Sequence, residues 1–290
     1  MLLTRSERNS ILFYQGGTGN IELSDSERHL RNFYKVKNAY EAINVLLFPG
    51  FDNENARLIQ EKREIDRVLL EFMPELLNVY ENLYRVMCRY AVCIEKREII
   101  YAYRNDRMQT LAQLKAGQIP SFFSTSLSQK ANPYFHEKKG ILLLEVEASG
   151  KVPHLDVNAV LGTKSAFKTE SEILFPPFLS LELEPMELNE REKSYRDMDG
   201  DPPKAKYKIY LKEDTGEPKT GQSEGTESEE TLLRKIMNTE SLQNVKEVWK
   251  ICNRGCLPDK TAKDNYVNWK KDLQQYLKMK YAGMQSHCLT

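Results

Sequence analysis

The hydrophobic pattern of this 290-residue chain changes its period twice, and those changes restrict the fold it can adopt. Apolar residues recur at helical spacing before about residue 90 and again after residue 231. Between those regions apolar and polar residues alternate, which is typical of β-strands. The sequence therefore predicts an α+β fold. It is divided into an N-terminal helical lobe (1–95), a mixed α+β core (96–213), an acidic linker (214–230) and a C-terminal helical region (231–290).

The amino-terminal third carries clear helix signals. Ser24 and Glu27 form a capping box, which predicts a helix that continues to about Phe48. Two further helices are predicted over 55–72 and 74–90. The glycine-rich stretch before them lacks the lysine of a phosphate-binding loop, so residues 1–23 are predicted to be a flexible lead-in.

The central segment alternates over five stretches that we predict to be strands. They lie at 98–104, 120–127, 140–148, 171–184 and 205–212. A short helix is predicted over 108–116, ended by Gly117. The charged, proline-containing stretch 186–204 is predicted to be a long hairpin loop.

Composition argues against several classes of protein. The formal net charge is zero, so no overall field favours nucleic acid as a partner. No apolar run is long enough to span a bilayer and the first residues lack the apolar core of a signal peptide, which predicts a soluble, cytosolic protein. The five cysteines come with no N-x-S/T sequon and no completing histidine pair, so we expect reduced thiols and no metal.

Two glutamates, Glu170 and Glu172, stand two residues apart at the start of an apolar run. In an extended backbone that spacing places both carboxylates on the same side. Two like charges held so close resist joint ionisation unless a cation or a polar substrate lies between them. The pair therefore indicates a functional site, and the alternative is a solvated strand edge.

Two stretches upstream support the interpretation of the glutamate pair as part of a functional site. The first, E-I-I-Y-A-Y-R, is a strand pattern that ends at Arg104, and the second, S-F-F-S-T-S-L-S, carries the hydroxyls of Ser124, Thr125 and Ser126. In this order the three stretches resemble the arginine, Ser-Thr-Ser and Glu-x-Glu motifs of the mono-ADP-ribosyltransferases of the cholera-toxin-like clade. The resemblance covers about residues 98–211 and implies a core of two packed, mainly antiparallel sheets.

The resemblance also implies roles in binding and cleaving NAD, the co-substrate. Glu172 is the expected catalytic acid at the nicotinamide ribose, and Ser124 is expected to hold it in place. Arg104 is expected to grip the pyrophosphate, where a planar, permanently charged fork suits a phosphate. Thr125 and Ser126 complete the expected NAD-binding set.

The acceptor is implied by the first glutamate of the pair. Glu170 is expected to orient an arginine guanidinium and to take its proton, because a carboxylate can act as a base where an amide cannot. Phe167, in the same loop, is expected to present an apolar face to the target protein. The arginine strand departs from many members of the family, since Asn105 and Asp106 follow Arg104 where a glycine is common.

The expected function is an arginine-specific mono-ADP-ribosyltransferase, acting as a bacterial effector or toxin in a host cell. Two alternatives stay open: an NAD glycohydrolase on the same scaffold, and a non-catalytic module that binds a nucleotide or a peptide. Residues 231–290 contain eleven Lys and Arg against five Asp and Glu, a net charge of +6. This bias indicates a solvated helix face or a docking surface for an acidic partner.

Overall fold

The computed structural model describes residues 1–36, 39–48, 50–51, 65–93, 99–128, 141–165, 171–197, 199–212 and 227–288. The chain divides into two compact units. One contains Val86–Thr215 together with Met1, and the other contains Leu2–Arg85 and Gly216–Thr290. The amino-terminal and carboxyl-terminal helical regions therefore belong to one unit. The predicted linker lies almost wholly outside the described residues.

Among the described residues, five α-helices precede the sheet: α1 (Arg5–Tyr14), α2 (Arg31–Tyr34), α3 (Ala39–Leu47), α4 (Ile65–Glu71) and α5 (Met73–Cys93). A capping box starts α1, in which the Thr4 hydroxyl accepts from the Glu7 amide at 3.2 Å and the Glu7 carboxylate accepts from the Thr4 amide at 2.9 Å. Ile11, Leu12 and Phe13 of this helix are fully buried. The prediction of a flexible lead-in over residues 1–23 is therefore wrong.

The predicted helix from residue 24 to 48 is broken into shorter pieces. The Ser24–Glu27 capping box forms, but it opens the 3₁₀ helix Asp25–Leu30 rather than an α-helix. The break lets the Phe33 ring pack against Phe13, with ring centres 4.6 Å apart. Tertiary packing of aromatic rings thus overrides the local helical pattern. Of the helix predicted over 55–72, only the part from residue 65 lies among the described residues.

The described residues of the Val86–Thr215 unit form one sheet of seven strands: β1 (Ile99–Arg107), β2 (Phe123–Ser126), β3 (Ile141–Ser149), β4 (Leu155–Asp156), β5 (Glu172–Phe175), β6 (Leu181–Met186) and β7 (Ala205–Leu211). The strand order is β4-β5-β2-β1-β3-β7-β6, and every pair is antiparallel except β3 with β7. The implied core of two packed sheets is not seen in the described residues. The reason is β1, which pairs with β3 along its length and with β2 at Tyr103 opposite Ser126, and so joins both halves.

The single strand predicted over 171–184 is two strands at different places in the sheet. The first, β5, ends at Phe175, immediately before Pro176 and Pro177, which have no amide hydrogen for a strand ladder. Phe178 then adopts a positive φ of 72°. After this turn β6 pairs with β7 at the far edge of the sheet.

Three short helices complete this unit: α6 (Met108–Leu114), α7 (Val157–Leu161) and α8 (Glu190–Lys193). The prediction for α6 is confirmed, and the chain turns after it at Gly117 with a φ of +81°. The sequence analysis missed α7, which begins where the Asp156 carboxylate accepts from the Ala159 amide at 2.9 Å. The hairpin predicted over 186–204 does join the antiparallel strands β6 and β7, and it contains α8.

The predicted C-terminal helical region contains three helices among its described residues: α9 (Glu229–Ile236), α10 (Thr239–Asn253) and α11 (Lys260–Cys288). The Trp269 indole of α11 donates to the Ile236 carbonyl at the end of α9, at 3.1 Å. The buried Lys270 ammonium of the same helix donates to the Gly50 carbonyl at 3.0 Å, which ties the carboxyl-terminal helices to the amino-terminal ones within their unit. Among the described residues, none of the helices combines the length and apolarity needed to cross a bilayer.

Candidate active site

Three adjacent strands bring the predicted motifs together. Arg104 lies in β1, residues 124–126 form most of β2, and Glu172 is the first residue of β5. The register places Ser126 opposite Glu172 in β5 and opposite Tyr103 in β1. Segments far apart in the sequence therefore meet at one point of the sheet.

The Ser124 hydroxyl donates to the Glu172 carboxylate oxygen Oε1 at 2.7 Å. Ser124 and Ser126 point to the same face of β2, so the bond joins diagonal neighbours across two strands. A hydroxyl that donates to a carboxylate over this distance makes a strong, charge-assisted bond. Glu172 is only 6% exposed, so the bond fixes one oxygen of a carboxylate that is nearly enclosed.

The Arg104 guanidinium is held on three sides. Its Nη1 donates to the Ser124 carbonyl at 2.7 Å, and its Nε donates to Asp106 Oδ2 at 2.6 Å. Its central carbon lies 4.6 Å from the centre of the Phe123 ring. Within the described part of the chain these are the contacts of the guanidinium, and none of them uses the two N–H groups of Nη2.

Arg104 and Glu172 are connected through Ser124, but they approach it differently. The carboxylate meets the Ser124 hydroxyl, whereas the guanidinium meets the Ser124 carbonyl and the ring of Phe123, the preceding residue. Neighbouring side chains in a strand point to opposite faces, so the two charged groups lie toward opposite faces of β2. The guanidinium thus bridges β1 and β2 beside their one described backbone pair.

The other two hydroxyls of the Ser-Thr-Ser stretch differ in their contacts. The Thr125 hydroxyl donates to the Ile173 carbonyl at 2.8 Å, and the residue is 5% exposed. That bond holds β2 to β5 and leaves the hydroxyl proton unavailable to NAD. The Ser126 hydroxyl accepts from the Ser128 amide at 3.1 Å and lines a small cavity of about 20 Å³.

Two predicted residues, Glu170 and Phe167, lie outside the described residues. The residue between the glutamates, Ser171, adopts a positive φ of 47°, and its carbonyl accepts from the Leu127 amide at 3.1 Å. The strand begins only at Glu172. The argument that extended backbone places both carboxylates on one side therefore does not apply here.

Sequence reasoning missed the residues that surround Arg104. Asp106 is two residues further along the same strand, and Phe123 directly precedes Ser124. Alternation along a strand would have placed Asp106 on the side of Arg104, so its signal was present. Phe123 had no local signal, because its contact with Arg104 depends on the pairing of β1 with β2.

A second group of charges lies next to Ser126. The buried Lys206 ammonium is 2.6 Å from Glu145 Oε1 and 3.0 Å from Glu192 Oε1. Burial works to lower the pKa of Lys206, but hydrogen bonds to the two carboxylates outweigh it, so the pKa is raised. Glu192 is 1% exposed and lies in α8, so this ion cluster fastens the β6–β7 hairpin to the sheet. Among the described residues, no cluster of His, Cys, Asp and Glu side chains could hold a metal ion.

The sequence matches no protein-family model, and no curated protein matches it. Among solved structures, the fold is distantly similar to the catalytic domain of VahC from Aeromonas hydrophila, with a TM-score of 0.35 and 16% sequence identity. That similarity covers 73% of this chain and 100% of the VahC domain.

Proposed function

We propose that this chain is a mono-ADP-ribosyltransferase, which cleaves NAD and transfers ADP-ribose to an arginine side chain of a protein. The observation that supports it best is the 2.7 Å hydrogen bond from Ser124 to Glu172, between the Ser-Thr-Ser strand and the second acid of the Glu-x-Glu pair. A carboxylate held in this way has a fixed position before substrate binds. Fixed charge is what stabilises a charge that develops only in the transition state.

The reaction breaks the bond between the ribose C1′ and the nicotinamide nitrogen. The bonding electron pair leaves with nicotinamide, and the sugar acquires the positive character of an oxocarbenium ion, as in glycoside hydrolysis. Glu172 stabilises this charge more than it stabilises the uncharged sugar ring of bound NAD. The Ser124 bond keeps the carboxylate from rotating away, which preserves that difference.

Arg104 supplies the grip on the pyrophosphate. The carbonyl of Ser124, the carboxylate of Asp106 and the ring of Phe123 fix the plane of its guanidinium. The N–H groups of Nη2 then donate to a phosphate oxygen at the gap between β1 and β2. Ser126 lies on the Glu172 face of β2 and lines a small cavity whose described lining residues do not include Arg104. Thr125 has no direct contact with NAD in this proposal, because its hydroxyl is bonded within the sheet.

The choice of arginine as acceptor depends on Glu170 and Phe167. Glu170 orients the guanidinium and takes its proton as the nitrogen attacks C1′, and Phe167 contacts the target protein. This part of the proposal is supported by the sequence motif alone.

The test is incubation of the purified chain with biotinylated NAD and a cell lysate, beside Glu172→Gln and Glu170→Gln variants, with nicotinamide release and peptide mass spectrometry as readouts. We expect arginine-linked ADP-ribose on a discrete protein, loss of both signals in Glu172→Gln, and retained nicotinamide release in Glu170→Gln. Nicotinamide release without protein labelling would assign the chain as an NAD glycohydrolase. Absence of both signals in the unmodified chain would reject the enzymatic proposal.

A further inference from the structure

A cavity of about 190 Å³ lies behind the strand that carries Glu172. Ile100 of β1 and Ile173 of β5 form its floor. Successive residues of a strand point to opposite faces, so Ile173 places the cavity on the face away from the Glu172 carboxylate. The cavity therefore lies on the face opposite the Glu172 carboxylate. Arg104 shares the face of Ile100 in β1, but it is not among the described residues that line the cavity.

Two aromatic rings form a rigid wall of this cavity. The rings of Tyr90 and His154 meet edge to face, with centres 5.4 Å apart and an angle of 89° between their planes. Both residues are buried, at 6% and 5% exposure. The His154 Nδ1 lies 2.7 Å from the Val152 carbonyl, which can only accept, so this nitrogen carries a proton and the ring orientation is fixed.

The cavity contains one carboxylate among its described lining residues, that of Asp156. Its Oδ1 accepts from the Ala159 amide at 2.9 Å and so caps α7. A carboxylate has about four acceptor positions, so one capping bond leaves it able to accept from a ligand. A negative group beside aromatic and aliphatic walls favours a flat ligand with a positive charge.

We propose that this cavity binds a small planar organic cation of the amidinium or guanidinium class. The cation donates paired hydrogen bonds to Asp156, and its flat body lies against Tyr90 and between Ile100 and Ile173. An apolar cavity of about 150 Å³ holds a benzene ring. The volume of about 190 Å³ therefore suits one ring with a single amidinium substituent, such as benzamidine.

The experiment is a titration of the full chain with benzamidine, followed by NMR of isotope-labelled isoleucine methyl groups. We expect saturable shifts of the Ile100 and Ile173 methyl signals, while Ile209, in a strand at the other side of the sheet, stays unchanged. Benzamide has nearly the same shape without the charge, and we expect it to bind at least tenfold more weakly. Equal binding of the two compounds, or no shift with benzamidine at tens of millimolar, would overturn the proposal.

Asp156→Asn provides a matched variant. Asparagine is as good a helix cap as aspartate, so the variant keeps α7 and removes only the charge. We expect its affinity for benzamidine to fall at least tenfold while its melting temperature and its affinity for benzamide stay close to those of the unmodified chain. Unchanged affinity for benzamidine would contradict the role of the carboxylate. The comparison of benzamidine with benzamide still decides the question if this variant folds poorly.

Discussion

The guanidinium of Arg104 stacks 4.6 Å above the ring of Phe123. The ring contacts the guanidinium on one side, and hydrogen bonds to Asp106 and to the Ser124 carbonyl fix two of its nitrogens. An arginine side chain normally loses much rotamer freedom when it binds a ligand. Here the contacts within the sheet already restrict the rotamers of Arg104 before any ligand binds. A phosphate that reaches Nη2 therefore binds to a preorganised donor.

Glu172→Gln tests the catalytic acid. Glutamine has nearly the same shape and can still accept the bond from Ser124, but it carries no charge. We expect the kcat for nicotinamide release to fall by about 10²- to 10⁴-fold, with little change in the KM for NAD. The measurement is steady-state release of nicotinamide.

The chain offers a control in a second Glu-x-Glu sequence, Glu182 and Glu184 of β6, whose side chains are exposed. Glu182→Gln removes an exposed carboxylate from the edge of the same sheet, and we expect its kcat to match that of the unmodified chain. A Glu172→Gln variant with unimpaired turnover would disprove the assignment of the acid.

Ser124→Ala and Thr125→Val separate a site hydroxyl from a structural one. Ser124→Ala removes the bond that holds a charged acid, which is worth about 1.5–3 kcal/mol, so we expect the kcat to fall by roughly 10- to 150-fold. Thr125→Val instead leaves the buried Ile173 carbonyl without its donor, at a cost of about 1–3 kcal/mol of unfolding free energy. Turnover and urea unfolding of both variants distinguish the two roles. If Thr125→Val lowered the kcat without lowering the unfolding free energy, the Thr125 hydroxyl would be assigned to NAD binding instead of to sheet stability.

Asp106→Ala tests the support of Arg104. The variant removes the 2.6 Å partner of Nε, so the guanidinium loses its fixed orientation. We expect the KM for NAD to rise about tenfold, which corresponds to about 1.4 kcal/mol, while the kcat changes little. Asp106→Asn keeps an acceptor for Nε, so its KM should lie between those of the alanine variant and the unmodified chain. A fall in kcat alone, or in melting temperature alone, would argue against this role.

Lys206→Met tests the ion cluster beside Ser126. Removal of the ammonium takes the cationic partner of this cluster away from the buried Glu192 carboxylate, and we expect the unfolding free energy to fall by about 3–5 kcal/mol. Lys208→Met is the matched control on the same strand. Lys208 pairs with Glu147 at 2.7 Å but is more exposed, so we expect a loss of only about 0–1 kcal/mol. Equal losses from the two substitutions would show that burial of the cluster does not matter.

The contribution of the same cluster to the unfolding free energy should decrease as the pH rises. The pKa of Lys206 is raised in the folded protein, so the ammonium stabilises the fold fully below its unfolded pKa, about 10.4, and loses this contribution as the pH rises through the folded value. The difference in unfolding free energy between Lys206→Met and the unmodified chain should therefore be largest near pH 7 to 9 and shrink above pH 10.5. Chemical denaturation over that range measures it.

Cysteine alkylation tests the packing of the carboxyl-terminal helices. Burial raises the pKa of the Cys252 thiol to about 11, so roughly one molecule in a thousand carries a thiolate there at pH 8. Cys93 and Cys256 are exposed. We expect iodoacetamide at pH 8 to modify these two within minutes and to leave Cys252 unmodified, as read by peptide mass spectrometry. Rapid alkylation of Cys252 in the folded protein would show that α10 opens readily.

Local signals in the sequence predicted most of the elements. Periodicity located α6, the three carboxyl-terminal helices and the strands around the site. The Thr4–Glu7 capping box and the Pro176–Pro177 pair were also visible in the sequence, and reading them fully would have predicted α1 and the break between β5 and β6. The sequence therefore contained the information needed to predict both features.

Other features depend on contacts that no local pattern reveals. In the described residues one sheet is seen instead of the expected two, because β1 pairs with β3 on one side and with β2 on the other, the latter at only one described position. Ser124 and Glu172 are 48 residues apart, and the resemblance to a family, not their spacing, suggested that they meet. The Lys206 cluster joins residues of two strands to a helix within a loop, so only the folded chain brings those charges together.

The left-handed backbone conformation of Ser171 has a consequence for how this site can evolve. Glu172 belongs to the strand ladder, where its position is coupled to the register of the whole sheet. The backbone leaves that regular geometry one residue earlier, so substitutions, insertions and deletions before Ser171 need not shift the register of β5. If Glu172 is the catalytic acid proposed above, the sequence before Ser171 can therefore diverge while that acid keeps its place in the sheet. The left-handed conformation of one residue thus allows acceptor choice and catalytic chemistry to evolve independently.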